Sequence, residues 1–401
     1  MTNEWICRQA QALQADVVRW RRIVHGFAEL SGREVQTSAF IRAELEALGL
    51  PVQAVSATGL LATLDTGRPG PCIALRADID ALPVREQPNN LAGPRSCISQ
   101  DPATCHACGH DAHTAMLLGA AKALAACRDT LCGAVYFCFE EGEETGGGVQ
   151  AMLDALAARR VDTCWAIHVY AGLASGKICL DAGPRMAGAA GVDLTVCGRG
   201  GHGSRPDLSI NPVFCAASIL TNAAAAWVNQ IPAGETVTLG ITSIQGGETG
   251  NVIPDTARVL GSLRFFSAEQ GQKAVELLQS VAEHTAAINR CTVRFGPKFR
   301  VLCGPVRNDP RYAALAQQAV AQVLPAGAVV SCDPWYASES FSRYCKAYPC
   351  VMAHLGIDNP AYGSGAAHHN GAFDVDENVL PLGVAATLKY VAAVQQAGSD
   401  C

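Results

Sequence analysis

The sequence predicts an α/β protein with a compact α+β module inserted into it. Two observations carry that reading. Short, continuous apolar runs at 71–76, 133–139 and 164–168 have the length of buried strands, and each leads into acids or a histidine. Between about 185 and 300 the order changes to strand, helix, two strands, helix and a further strand, the pattern of a separate α+β unit; after 301 the first style returns. The expected boundaries are therefore 1–184 and 301–401 for one discontinuous domain and 185–300 for the insertion.

Composition narrows the function classes. Of 401 residues, 16% are charged and 49% apolar, an ordinary globular balance. A formal net charge of −6 gives no reason to expect nucleic acid or an anionic membrane surface as partner. No apolar run approaches the ~20 residues of a membrane span. The start, Met1-Thr2-Asn3-Glu4-Trp5, lacks the basic-then-apolar layout of a signal peptide, so a cytoplasmic protein is expected. Eighteen cysteines are spread through apolar segments such as 135–139, where a thiol acts as a small core hydrophobe.

Taken in order, residues 10–48 alternate helix formers with apolar positions and end at Gly49, a helix with a glycine cap. His25 and Glu29 within it have the spacing of an exposed pair one turn apart. The run 71–76 delivers Asp78 and Asp80 to the C-terminal end of a buried strand, where α/β proteins place their chemistry. A Pro-, Asn- and Ser-rich loop over 87–104 then leads to Cys105-His106-Ala107-Cys108-Gly109-His110-Asp111-Ala112-His113. Good helix formers come next, so this cluster stands where a loop meets a helix start. Cys108, His110, Asp111 and His113 can converge there, and such mixed ligands suit zinc or a similar divalent ion. The Cys105–Cys108 spacing also matches a redox pair, but no thioredoxin-like βαβ context surrounds it, and Gly109 in place of His excludes haem attachment.

The run 133–139 delivers Glu140, Glu141, Glu143 and Glu144, four like charges that repel unless a cation neutralises them. The run 164–168 ends in His168. In the insertion, a strand at 192–196 runs into Gly198-Arg199-Gly200-Gly201-His202-Gly203, which lacks the Gly-Lys-Ser/Thr ending of a phosphate loop. A helix at 211–229, strands near 235–245 and 256–266, and a helix at 268–289 complete the module. A helix near 310–323, a strand at 350–356, the pair His368-His369 and a last helix from Asp376 close the chain.

Together, Arg76-Ala77-Asp78-Ile79-Asp80-Ala81-Leu82-Pro83, His106-Ala107-Cys108-Gly109-His110-Asp111, the glutamate pair, His168, Gly200-Gly201-His202-Gly203-Ser204, Asn251-Val252-Ile253-Pro254 and His369 resemble the dimetal aminoacylase–carboxypeptidase family. Within it the likeness is to the amidohydrolase branch of hippurate and auxin-conjugate hydrolases, and it covers nearly the whole chain. It implies an α/β dimetal-peptidase domain, a mixed sheet flanked by helices, with the insertion as lid and dimerisation domain of a homodimer. It implies two divalent ions per subunit, zinc or manganese with cobalt also suited, bound by Cys108, His110, Glu144, His168 and His369, with Cys108 bridging. Glu143 would be the general base that deprotonates the attacking water, with Asp78 and His202 as further catalytic residues. His202 would reach the site of a partner subunit and stabilise an oxyanion. Asn251 and Arg264 of the lid would hold the carboxylate or carbonyl of the substrate.

The activity so implied is metal-dependent hydrolysis of the amide of an N-acyl or N-aroyl amino acid, or of a similar small conjugate. Carboxypeptidase or dipeptidase action on short peptides, and hydrolytic removal of an amino group from an aromatic ring, would use the same site. A binding protein that kept the fold and lost the chemistry is the remaining class, and the presence of Glu143 and every ligand argues against it. The chain departs from the branch in having Glu140-Glu141-Gly142 where relatives have Gln-Pro-Ala, and Gly371 where they have Pro. Phe373, at the family's distance of four residues, selects His369 over its neighbour His368.

Overall fold

The computed structural model describes residues 1–399, which form two compact units. One comprises Met1–Arg185, Arg307–Asp333 and Arg343–Cys401, the other Met186–Val306 and Pro334–Ser342.

The first unit is built on an eight-stranded mixed sheet flanked by helices. In spatial order its strands are Val52–Ala54, Leu60–Asp65, Ala134–Glu140, Cys72–Asp78, Thr163–Ala174, Cys350–Asp358, Ile178–Cys179 and Val329–Val330. The inner strands Cys72–Asp78 and Ala134–Glu140 are covered on both faces, which is why their sequences are unbroken apolar runs rather than alternating ones. Cys72–Asp78 runs parallel to both Ala134–Glu140 and Thr163–Ala174, and Asp78 stands in register with Glu140. Chemistry-bearing residues from separate stretches of sequence therefore emerge at one edge. The helix His110–Ala126 packs on Cys72–Asp78 and is buried along nearly its whole length, so its all-round apolar composition is that of a core helix. Trp165 stacks on Tyr390 with ring centroids 4.5 Å apart and donates its indole N–H to Thr387, tying the sheet to the helix Leu380–Ser399.

The single helix expected over 10–48 is instead divided among Asn3–Ala12, Gln14–Phe27 and Val35–Ala47. The chain turns left-handed at Ala28 (φ 38°) and again at Gly32 (φ 75°), which ends the helical hydrogen bonding. Glu29 accepts the backbone N–H groups of Gln36 and Thr37 and so serves the start of the third helix. It is not half of an exposed pair, and His25 is only 2% exposed.

The second unit has a sheet ordered Val237–Gln245, Thr256–Phe265, Gly188–Cys197 and Thr292–Phe295, with Val301–Cys303 also paired to Gly188–Cys197. Helices Pro212–Gln230 and Ala268–Ile288 cover it, packing Ile219, Ala223, Leu278 and Ala282 on Val192, Leu194, Val259 and Phe265. Pro212–Gln230, though interrupted by Ser218, Thr221 and Asn222, is long and apolar enough to cross a membrane by length and composition alone, with 19 residues and a mean hydropathy of 1.2 over its most apolar window. A separate two-stranded ribbon pairs Gly201–His202 with Val252–Ile253. The described cysteines are free thiols.

Candidate metal centre

Gly109 creates the turn on which the site depends. It precedes the helix His110–Ala126 with φ 91°, and a Cβ there would meet Val169 Cγ2 at 2.3 Å. Glycine thus lets the chain bend sharply, with Cys108 just before the helix and His110 in its first turn.

Four groups of potential donor atoms each lie within 4.8 Å of one another: Cys108, His110 and His168; Asp78, His110 and His113; Cys108, Glu144 and His369; and His110, Glu143 and Glu144. Because they share members they form one cluster. Cys108 Sγ is 3.7 Å from His168 Nε2, and Glu144 Oε1 is 3.8 Å from His110 Nε2 and 3.4 Å from His369 Nε2.

The hydrogen bonds around the imidazoles prepare them for this task. His168 Nδ1 lies 2.7 Å from the carbonyl of Val169, and His110 Nδ1 lies 3.1 Å from Asp80 Oδ1. Each Nδ1 must carry the proton to make those bonds, which leaves the Nε2 lone pair facing the cluster. His110 Nε2 and Glu144 Oε1 are buried and make no hydrogen bond among the described residues. Orphaned buried atoms of this kind ask for a partner, and a cation supplies one. Burial pushes the Cys108 thiol well above its usual range, outweighing the opposing pull of the neighbouring His110. Only a nearby positive charge would keep it a thiolate. The donor set and its unmet valences fit two divalent ions.

The neighbouring acids divide the supporting work. Asp80 holds His110 with one oxygen, while the other accepts the Glu144 N–H at 3.1 Å and the Ser31 hydroxyl at 2.6 Å. Asp78 is fully buried, bonded to His113 Nδ1 at 2.6 Å and Arg76 at 2.8 Å, and 3.7 Å from His110 Nε2. Burial opposes its ionisation, but His110, His113 and Arg76 hold it well below the usual carboxylate range. His113 was expected to converge on the metal; instead its Nε2 accepts the Val169 N–H at 2.9 Å, so both ring nitrogens are engaged.

Asp111, the other expected member, turns away from the cluster. It accepts Arg21 Nε at 2.9 Å and stands 2.8 Å from His25 Nδ1, all three side chains being buried. Burial disfavours a charged His25, yet Asp111 and Glu86 on either side raise it to about 10. His25 and Arg21 thus fix the far side of the helix start.

The four glutamates separate in the same way. Glu140 is met by Arg76 at 3.0 Å and by the Tyr344 hydroxyl, while Glu141 accepts the N–H and hydroxyl of Thr58 and the N–H of Gly59. Glu143 and Glu144 are the two within the cluster. His369 stands in the cluster with φ 64°, whereas half-buried His368 accepts the Ala171 N–H at 3.1 Å. Cys105 is in none of the donor groups, and burial pushes its thiol up to about 12.

Asp80 was legible as an acid at a strand end but not as the residue that orients His110. An Asp80→Ala substitution should weaken metal affinity by about 10–100-fold while the fold persists, measured by competition with a coloured chelator. Unchanged affinity would remove Asp80 from this role.

In the second unit, His202 lies in the two-stranded ribbon and Asn251 immediately precedes its second strand. His202 is exposed, its Nδ1 accepts the Ser204 N–H at 3.1 Å, and the backbone carbonyl of Asn251 accepts the Gly203 N–H at 2.8 Å. Arg264 is half-buried on the separate sheet, in the strand Thr256–Phe265, where it donates to the Leu263 carbonyl.

Comparison with known proteins agrees with this geometry. The family model for peptidase family M20/M25/M40 matches residues 74–393. An IAA-amino acid hydrolase, ILR1-like 4, of Arabidopsis thaliana is 32% identical over 90% of this chain and 82% of its own. An N-acetylcysteine deacetylase of Bacillus subtilis is 32% identical over 93% of this chain and 95% of its own. Among solved structures, the YxeP protein of Bacillus subtilis, a dinuclear metal binding peptidase from the M20 family, superposes with a TM-score of 0.82 at 30% identity, covering 96% of this chain and 99% of that one. The chain belongs to peptidase family M20/M25/M40 and is a metal-dependent hydrolase.

Proposed function

We propose that this protein hydrolyses the amide bond of N-acyl or N-aroyl amino acids, or of similar small conjugates. Cys108, His110, Glu144, His168 and His369 hold two divalent ions, zinc or manganese. The observation that carries the reading is the juxtaposition of two adjacent carboxylates with different environments. Glu144 has an orphaned oxygen between two imidazoles, and Glu143 lies beside it in the same short turn, within 4.8 Å of His110. One serves as ligand and the other as base. When bound, the ions supply Lewis-acid polarisation of a carbonyl and acidify water. Glu143 accepts a proton from the attacking water and returns it to the departing amide nitrogen. Asp78 sustains the charge balance around His110, a supporting part in catalysis. The names of two relatives, an IAA-amino acid hydrolase and an N-acetylcysteine deacetylase, point to the same substrate class.

A panel of benzoyl-, acetyl- and indoleacetyl-amino acids, dipeptides and an aminobenzoate, assayed with and without zinc or manganese, tests the proposal. Metal-dependent release of the amino acid from an acyl conjugate is expected. Silence on every acyl conjugate, with cleavage of dipeptides or release of ammonia from the aromatic amine, would overturn the substrate class.

A homodimer formed through the second unit is part of the proposal. Val237–Gln245 is an edge strand with many exposed residues, and Pro212–Gln230 exposes Phe214 at 72% and Val228 at 85%; edges and apolar faces of this kind are natural pairing surfaces. In such a dimer His202 serves the partner's site as an oxyanion donor, with Asn251 and Arg264 on the substrate's carboxylate or carbonyl. His202→Ala should lower turnover with metal still bound. Mixed in equal amounts with Glu143→Gln, it should recover about one quarter of parental activity through heterodimers; no recovery would mean that each site is complete within one chain. Free thiols suit a reducing compartment, and cytoplasmic residence is proposed on that ground.

A further inference from the structure

A second sulfur cluster lies in the first unit, and none of its members is among the proposed metal ligands. The strand Ile178–Cys179 pairs with Val329–Val330 on one side and Cys350–Asp358 on the other, with Cys179 in register with Val330 and His354. The chain leaving Val330 is clamped at once by Asp181, which accepts the Ser331 hydroxyl at 3.0 Å and the Cys332 N–H at 3.2 Å. Cys332 is thereby fixed over the end of the short strand. Arg185 donates from Nη2 to the Cys332 carbonyl at 2.6 Å and to its sulfur at 3.4 Å, and His354 Nδ1 is 4.0 Å from the same sulfur. Cys179 is buried and donates its thiol to Asp181 Oδ2 at 3.2 Å, the same oxygen that accepts the Cys332 N–H, and Cys332 is half-buried between exposed neighbours.

We propose that Cys332 is a peroxide-reactive thiolate and that Cys179 is its resolving partner, the two closing a reversible disulfide. In the first step the Cys332 sulfur attacks a hydroperoxide. An S–O bond forms, the O–O bond breaks, the sulfur is oxidised to a sulfenic acid, and the peroxide is reduced to water or an alcohol by taking up a proton. In the second step the Cys179 sulfur attacks Cys332, forming the S–S bond and breaking the S–O bond. The oxygen leaves as water with the Cys179 thiol proton, which passes through the Asp181 carboxylate. Two thiols supply the two electrons that the hydroperoxide accepts, and an external dithiol returns them.

Geometry rather than acidity distinguishes this pair. The neighbouring Cys179 thiol, opposed by burial and aided by His354 and Arg185, brings Cys332 down to about 5. A lowered thiol holds more thiolate at neutral pH, but the weaker nucleophilicity of a low-pKa sulfur offsets that gain. What an exposed thiol such as Cys7 lacks is a second cysteine held on the same carboxylate oxygen and beside the same histidine, which makes resolution intramolecular. The other buried thiols, Cys138 and Cys350 among them, are pushed well up by burial.

The test is peptide mapping of the metal-loaded full chain after limited hydrogen peroxide and rapid alkylation. A Cys179–Cys332 linked peptide should be the dominant disulfide and should vanish on adding dithiothreitol. With Cys179→Ser, dimedone should trap Cys332 as a sulfenic acid; with Cys332→Ser, neither the linkage nor a trapped Cys179 should form. The wild-type map stands without either variant. Cys332 left reduced while Cys7 oxidises, or Cys332 linked to a cysteine other than Cys179, would overturn the proposal.

Discussion

Glu143→Gln should lower kcat by about 10²–10⁴-fold, the range that a positioned acid–base group contributes, while the metal stays bound. The amide has nearly the size of the carboxylate but cannot accept the water's proton. Because Glu143 stands on the same turn as Glu144 and is assigned as base rather than ligand, the loss should fall on turnover and leave KM and metal content close to the parent's. Steady-state kinetics with metal analysis of the same sample separates the two. Near-parental kcat would exclude Glu143 as the base, and loss of metal would make it a ligand instead.

Cys108→Ala should have the largest effect on the metal. Its sulfur belongs to two of the four donor groups, the one with His110 and His168 and the one with Glu144 and His369. Removing it leaves both incomplete. Changes to residues that only orient a ligand cost about 10–100-fold in affinity, so deleting a shared ligand should cost at least that. The fold should survive, since the change also removes the cost of keeping a buried thiolate. Stoichiometry after dialysis should fall below two ions per chain, and turnover should fall with it. Unchanged stoichiometry would end the case for Cys108 as a ligand.

The parts of this site that could be read from sequence are those set by local pattern. Unbroken apolar runs announce strands buried on both faces, and the residues just past each run must emerge at a sheet edge. That rule brought forward Asp78, Asp80, the glutamates and His168. The stretch of helix formers after His113 announced that the cluster stands at a helix start, though not that Gly109 makes the turn that orients Cys108 and His110. What stayed hidden depends on partners far along the chain. Asp78 and Asp80 are two residues apart and chemically alike. Only the helix His110–Ala126, folded back over the strand, decides that Asp80 meets His110 Nδ1 and Asp78 meets His113.

His25 and Asp111 were misread for the same reason. Spacing paired His25 with Glu29 on a surface, but Arg21 and His25 lie one turn apart beside Trp20 and Val24, the buried stripe of the same helix. Polar residues on such a stripe need buried partners, and theirs, Asp111, Glu86, Asp374 and Glu377, come from three other stretches. The four glutamates seemed to demand a cation together; Arg76 and the Thr58–Gly59 turn satisfy two of them, which no local rule foretells.

The most direct test of the dimetal hydrolase is a titration of chelator-stripped protein with zinc or manganese, following amino-acid release from an acyl conjugate against equivalents of metal. The stripped chain should be inactive, and activity should rise to a plateau at two ions per subunit. Full activity in the stripped chain, or two ions bound with no hydrolysis of any acyl conjugate or peptide, would contradict it.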